Sequence, residues 1–275
     1  MSVLPSPLRD LESFLQCGSL LDLGSRLRRE RLSKHAGYRE DGAVVLADSR
    51  RLWRPASEEG EPRELHLLDC TEPLVGERVG MHPNLWVHAA APPDLDAAAT
   101  RSLARSGVQS LSVDSGPVSA GEGAWSEQLD LPLPLVVCAT YGPNSTPAEL
   151  AARLERLRTA RSLRCLVWLP ESPGELVHRA EATDGLLDAR LLAVSRLFLP
   201  PTVRLRASWA AFGWKMAQFL LTCGADEVAG WGLEEARAWG SALKPSCTVG
   251  RHEARAGVLE ASREPVEVRG CAWDS

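Results

Sequence analysis

An α/β fold, with a (β/α)8 TIM-like barrel behind leading N-terminal helices, is what this sequence predicts, on three observations. Short apolar runs rich in Val and Leu recur from about residue 42, segments of helical period separate them, and the runs number eight. Apolar strands that alternate with helices belong to parallel sheets buried on both faces, and eight of them favour closure into a barrel over an open doubly wound sheet.

The elements follow in order. Residues 1–41 supply one or two leading helices, and the basic run RLRRERLSK at 26–34 is the solvated face of one of them. The barrel occupies 42–240. Its strands are AVVLAD (43–48), ELHLLD (64–69), LWVHAA (85–90), SLSVD (110–114), LPLVVCAT (133–140), RCLVWLPE (164–171), VRLRAS (203–208) and EVAG (227–230). Helices are expected over 94–107, 146–161 and 209–224. The middle one carries the clearest signals: Thr146 caps it, Pro147 takes the first helical position, Glu149 completes a capping box, and Leu150, Leu154 and Leu157 share a face. A C-terminal helix and tail fill 241–275. No low-complexity linker or repeat marks a boundary, so the chain reads as a single domain over 1–275.

Bulk properties exclude several function classes. A net charge of −5 and an isoelectric point near 5.8 give no reason to expect nucleic acid or an anionic membrane as partner. No apolar run approaches the ~18 residues needed to cross a bilayer, and the start lacks the charged and apolar regions of a secretory signal, so the expected location is the cytoplasm. The seven cysteines stand at 17, 70, 138, 165, 223, 247 and 271, the closest pairs 24 residues apart. No CxxC or Cys/His pair with metal-ligand spacing exists, no metal site is predicted, and scattered thiols of this kind read as small buried hydrophobes.

In a parallel barrel the strand C-termini build the site. The polar groups there are His66, Asp69, His88, Tyr141, Glu171, Arg206, Ser208 and Trp209, which are the candidate ligand-binding residues; no catalytic residue is assigned among them. Glu234 and Glu235 open a helix, where acidic residues suit the macrodipole. Phosphate-binding glycine motifs and a nucleophile elbow are both absent from the sequence.

The stretch RLFLPPTVRLRASWAAFGWKMAQFLLTCGADEVAGWGLEE resembles the seventh and eighth barrel strands of the radical SAM enzymes of the futalosine route to menaquinone, aminofutalosine synthase and the dehypoxanthinylfutalosine cyclase, and of the related deazaflavin synthases. Ser195, Arg196, Leu197, Ala207, Ser208, Trp209, Gly213, Ala217, Gln218, Gly224, Ala225, Asp226, Gly230, Glu234 and Glu235 carry the resemblance. LVVCATYGPNSTPAELAARLERLRTAR is similar to the fifth strand and its helix. The similarity is strong over about 133–240 and weaker before it.

That resemblance implies a four-iron cluster on a Cys-x3-Cys-x2-Cys loop after the first strand, with SAM bound at its free iron. Here the loop is SRRLWRPASEEGEP, without cysteine. Asp69-Cys70-Thr71-Glu72-Pro73 stands where a glycine-rich turn would let backbone approach SAM, and Arg206 stands where glutamine is usual. No cofactor is therefore predicted, although the cluster and SAM are the family's. The expectation is a catalytically silent barrel that binds a futalosine-type or aromatic carboxylate ligand, a small menaquinone precursor, or an active radical SAM paralogue. The alternative is a cluster-independent enzyme of the same pathway using the strand-end polar groups. A cluster held by scattered cysteines such as Cys70 and Cys138 ranks third.

Overall fold

The computed structural model describes residues 11, 15, 19–30, 32–39, 44–47, 52–53, 62–70, 72–82, 84–120, 123–171, 184–240, 249–269 and 272–273. Helix α1 (Leu20–Glu30) leads into strands β1 (His35–Arg39), β2 (Val44–Ala47) and β3 (Leu52–Trp53). Strands and helices then alternate: β4 (Glu64–Leu67), α2 (Glu72–Met81), β5 (Trp86–Ala90), α3 (Ala97–Arg105), β6 (Ser110–Pro117), β7 (Leu135–Tyr141), α4 (Pro147–Arg158), β8 (Leu163–Pro170), α5 (Gly185–Phe198) and β9 (Arg204–Ser208). Two short helices, α6 (Trp209–Phe212) and α7 (Trp214–Thr222), precede β10 (Glu227–Ala229) and α8 (Leu233–Trp239). The chain finishes with α9 (Arg251–Glu260), β11 (Glu264–Arg269) and β12 (Ala272–Trp273).

All strands join one sheet in the order β12-β11-β1-β10-β9-β8-β7-β6-β5-β4-β2-β3. Ten of them run parallel, and β3 and β12 form antiparallel edges. The sheet is a half-barrel, open among the described residues, rather than the closed eight-stranded barrel expected from sequence. All eight predicted runs are strands. The two further parallel strands, β1 and β11, lie in segments read as leading helices and as C-terminal helix and tail. His35–Arg39 has little apolar character of its own, yet it is flanked by β10 and β11, with Gly37 opposite both Glu227 and Val266. Burial there comes from neighbours and not from the local pattern. Contacts between strands remote in the order hold the curvature: Arg39 of β1 reaches Glu64 of β4 at 3.2 Å, and Arg63 pairs with Glu267 of β11.

Helix boundaries follow their local chemistry. At α4 the Thr146 hydroxyl accepts from Glu149 N at 3.3 Å while Glu149 Oε2 accepts from Thr146 N at 2.7 Å, the capping box read from sequence. Asp96 and Asp184 cap α3 and α5 by accepting from the backbone N–H of Ala99 and Leu187, without the reciprocal bond. The single helix expected over 209–224 is instead divided at Gly213, whose φ of +74° and ψ of 156° no helix accommodates. No helix among the described residues is long and apolar enough to cross a membrane.

Side chains alternate across the sheet. One face, with Leu65, Leu67, Val87, Leu111, Leu135, Val137 and Leu205, packs against the outer helices and forms the main core. The other faces the lumen and is apolar only in two patches, Val136, Cys138, Cys165, Val167 and Leu169 on one side and Val44 and Leu46 on the other. Between these patches the lumen is polar.

Two glycines test this packing. A methyl group at Gly37 would collide with Val268 Cγ2 and press on Glu227 Cβ, whereas one at Gly76, exposed in the middle of α2, meets no atom within 4 Å. Gly37→Ala is expected to lower stability by about 1–3 kcal/mol. Gly76→Ala should raise it by up to about 1 kcal/mol. Urea unfolding of both variants checks the pair.

Candidate functional site

Charged residues at alternate positions of the strands point into the lumen. Register sets them in rows: Leu46, His66, His88 and Ser110 align across β2, β4, β5 and β6, and Val167, Arg206, Glu227 and Gly37 across β8, β9, β10 and β1. Helix α8 lies over β5, β6 and β8, with Leu233, Glu234, Glu235 and Ala236 buried.

These groups bind one another. His88 Nε2 lies 2.8 Å from Glu234 Oε1, and Arg206 Nη1 donates to Glu234 Oε2 at 3.5 Å. Arg206 Nε and Arg204 Nη1 donate to the two oxygens of Glu227 at 2.5 and 2.8 Å. On the far side, Glu64 Oε2 accepts from Arg39 at 3.2 Å and lies 2.8 Å from His66 Nε2. The backbone N–H of Leu233 donates to His66 Nδ1 at 3.0 Å, so the hydrogen-bond pattern puts the His66 proton on Nε2, facing Glu64. The Trp86 indole donates to Ser110 Oγ at 3.0 Å, which leaves the hydroxyl proton for His88 Nδ1 at 2.8 Å and the Nε2 proton for Glu234. The two imidazoles meet edge to face with centroids 5.0 Å apart.

The electrostatics follow from this pairing. Burial drives the His66 pKa down to about 4, with the Glu64 hydrogen bond opposing only part of the fall, so His66 is neutral near pH 7. Burial would raise the Glu234 carboxyl, but His88 and Arg206 overcome it and hold the group well below the usual carboxylate range. Arg204 and Arg206 likewise overcome burial at Glu227 and lower it. Glu235 moves the other way: burial and the adjacent Glu234 charge raise it, although Ser208 and Arg39 oppose. Its Oε2 accepts from Gly232 N at 2.9 Å, which closes the first turn of α8.

Of the eight residues expected at the site, four meet in the lumen: His66, His88, Arg206 and Ser208. Asp69 is placed beside it, lining with Cys70, Leu68, Ala90, Ala91, Pro92, Pro93 and Arg237 a cavity of about 500 Å³ at the C-terminal ends of β4 and β5. Tyr141 and Trp209 lie outside the lumen. The Tyr141 hydroxyl donates to Asp188 of α5 at 2.6 Å, and Trp209 packs edge to face on Trp214 at 5.6 Å, both buried in the sheet–helix core. Strand parity decides this, because Tyr141 shares the face of Val137 and Ala139 and not that of Cys138. Glu171 is exposed at the end of β8, its backbone N–H donating to the Tyr141 carbonyl.

Arg39, Glu64, Arg204 and Glu227 were missed, and Glu234 was read as a helix-end charge. A signal for them exists: charged residues two apart within otherwise apolar strands, Glu64 and His66, and Arg204 and Arg206, mark an inward polar row.

Cys70, Cys138, Cys165 and Cys223 are the described cysteines. Cys138 and Cys165 sit on β7 and β8 among Val136, Val167 and Leu169, and burial pushes the Cys138 thiol well above its ordinary value. Burial also raises Cys70 to about 11 and lifts Cys223. Thiols held protonated are poor iron ligands. Among the described residues no three His, Cys, Asp or Glu side chains are grouped to hold a metal.

No protein-family model matches the chain. A 5-amino-6-(D-ribitylamino)uracil–L-tyrosine 4-hydroxyphenyl transferase of Methanosarcina barkeri is 35% identical over 118 residues, 38% of this chain and 31% of the relative. Its counterpart in Methanosarcina mazei is 33% identical over 118 residues, with the same shares, and one from Methanosarcina acetivorans is 44% identical over 55, 20% of this chain and 15% of its own. The chain thus spans less than a third of the length of these relatives. Among solved structures, the FeFe-hydrogenase maturase HydG of Carboxydothermus hydrogenoformans superposes with a TM-score of 0.66 over 97% of this chain and 77% of its own at 10% identity. Methylornithine synthase (PylB) gives 0.62 over 95% of each at 12% identity. The fold is the radical SAM half-barrel. The likeness to these structures, at 10% and 12% identity, speaks for the architecture.

Two outcomes are expected from the network. The folded protein refuses on His66 a proton that the unfolded chain takes below about pH 6.5, so this residue's contribution to stability is lost as pH falls from there to about 4, about 3 kcal/mol at most. Chemical denaturation across that range on the protein and on His66→Asn measures it; identical pH slopes would contradict the assignment. Glu235→Gln keeps an acceptor for Gly232 N and removes a carboxyl whose raised pKa costs stability as pH rises above the ordinary carboxylate value. The variant should be more stable than the parent near neutral pH, with a difference that shrinks on acidification, as read by thermal unfolding.

Proposed function

We propose that this chain is a catalytically silent barrel of radical SAM type, which forms neither the cluster nor the SAM complex and acts through binding. One observation carries the reading: the lumen is filled by its own side chains, with His88, Arg206, Glu227 and Glu234 paired to one another beneath α8. Spacing and burial of the cysteines support it from the other side. The relatives act, by their names, on a ribitylaminouracil and L-tyrosine, so flavin-related transferase chemistry replaces the futalosine and menaquinone setting expected from sequence as the background of this reading. A radical SAM paralogue remains the proposed partner class. The alternative, a cluster-independent enzyme, has one observation in its favour, the cavity beside Asp69.

Anaerobic reconstitution with iron and sulfide, followed by iron counting and SAM titration, tests the reading. Substoichiometric iron and no SAM binding are expected. About four irons per chain, the content of one four-iron cluster, with a SAM-dependent spectral change, would overturn it.

A further inference from the structure

One carboxylate of the lumen network does not belong to the sheet. Glu64 and Glu227 stand on β4 and β10, whereas Glu234 is delivered by α8, which runs from Gly232 to Gly240 at a φ of +89°. The helix is gripped by polar contacts: Leu233 N–H to His66, Glu234 to His88 and Arg206, Arg237 to the Ser112 carbonyl at 2.8 Å, and the Trp239 indole to the Pro170 carbonyl at 3.1 Å. Around it, Arg39 Nη2 and the Glu235 Oε1 of α8 itself are buried without a hydrogen-bond partner among the described residues. Arg237 also forms a wall of the cavity beside Asp69, so that cavity and lumen are divided by this helix.

We propose that the lumen is a small-carboxylate site which Glu234 occupies in cis. His88 Nε2 and Arg206 Nη1 converge on the two oxygens of one carboxylate, a geometry that suits a monocarboxylate. Glu227, which shares Arg206 with it, and Glu235, the next residue of α8, disfavour a more highly charged anion such as a phosphate dianion. A monocarboxylate entering from the cavity has Leu68, Ala90, Ala91, Pro92 and Pro93 for its apolar body and must displace Glu234, and with it α8. Helix 233–239 is then an autoinhibitory plug. This goes beyond the silent-barrel reading, since it concerns what the filled lumen holds and not what it lacks.

The test uses the full chain. Glu234→Ala is melted near neutral pH, by tryptophan fluorescence, in chloride and in formate or acetate of equal ionic strength. The variant should melt below the unaltered protein and gain on the order of 5 °C in formate or acetate, while the unaltered protein and Glu234→Ala/His88→Ala gain nothing. No anion-specific gain, or an equal gain in the unaltered protein, overturns the proposal. If Glu234→Ala does not fold in chloride, folded yield is read instead: recovery from acetate supports the site, and failure in both salts overturns it. Iron uptake by the unaltered protein would remove the silent-barrel reading without touching this one, and absent rescue would do the reverse.

Discussion

The lumen of this half-barrel depends on mutual neutralisation of charges that are largely shielded from water. Arg39 and Arg206 are buried with Glu64, Glu227 and Glu234, Arg204 a little less so, and each has an opposite charge within ion-pair reach. Taking one member away leaves the other as an isolated buried charge, a loss of about 3–5 kcal/mol. A network of this kind adds little net stability over an apolar filling, but it tolerates few other arrangements. It ties β1, β4, β5, β9 and β10, strands distant in the chain, to a single geometry.

That geometry bears on function through volume. Parallel barrels build their sites at the strand C-termini, and here the same region carries α8, its glutamates and the guanidinium of Arg206. The cysteines are dispersed in sequence, burial raises the Cys138 thiol, and most charges of the lumen are paired to one another. The likeness to HydG and PylB extends over nearly the whole chain and speaks for architecture; the likeness to the ribitylaminouracil transferases is closer in identity but short.

Much of the fold was legible because parallel strands are apolar on both faces and announce themselves one at a time. Each of the eight runs became a strand, and the capping box at Thr146 formed as read. His35–Arg39 and Glu264–Arg269 escaped because their burial is lent by partners: β1 is wedged between β10 and β11, and Gly37 is what lets β11 approach. At the site, His66, His88, Arg206 and Ser208 were legible from their position near strand ends. Tyr141 lies in the core because a residue near a strand end faces the lumen or the helices according to parity, and Trp209 because it opens α6 and packs on Trp214.

By itself the sequence determined the parallel α/β class, the strand and helix order over 43–230, and the absence of any local cysteine cluster, all of which rest on short-range pattern and spacing. Only the tertiary structure decided that the sheet stays open with ten parallel strands, and that Glu227 neutralises two arginines. It alone decided that Glu234, 146 residues away in the chain, is the partner of His88. These are pairings between groups whose proximity no local rule encodes, and a buried charge is defined by the partner it meets.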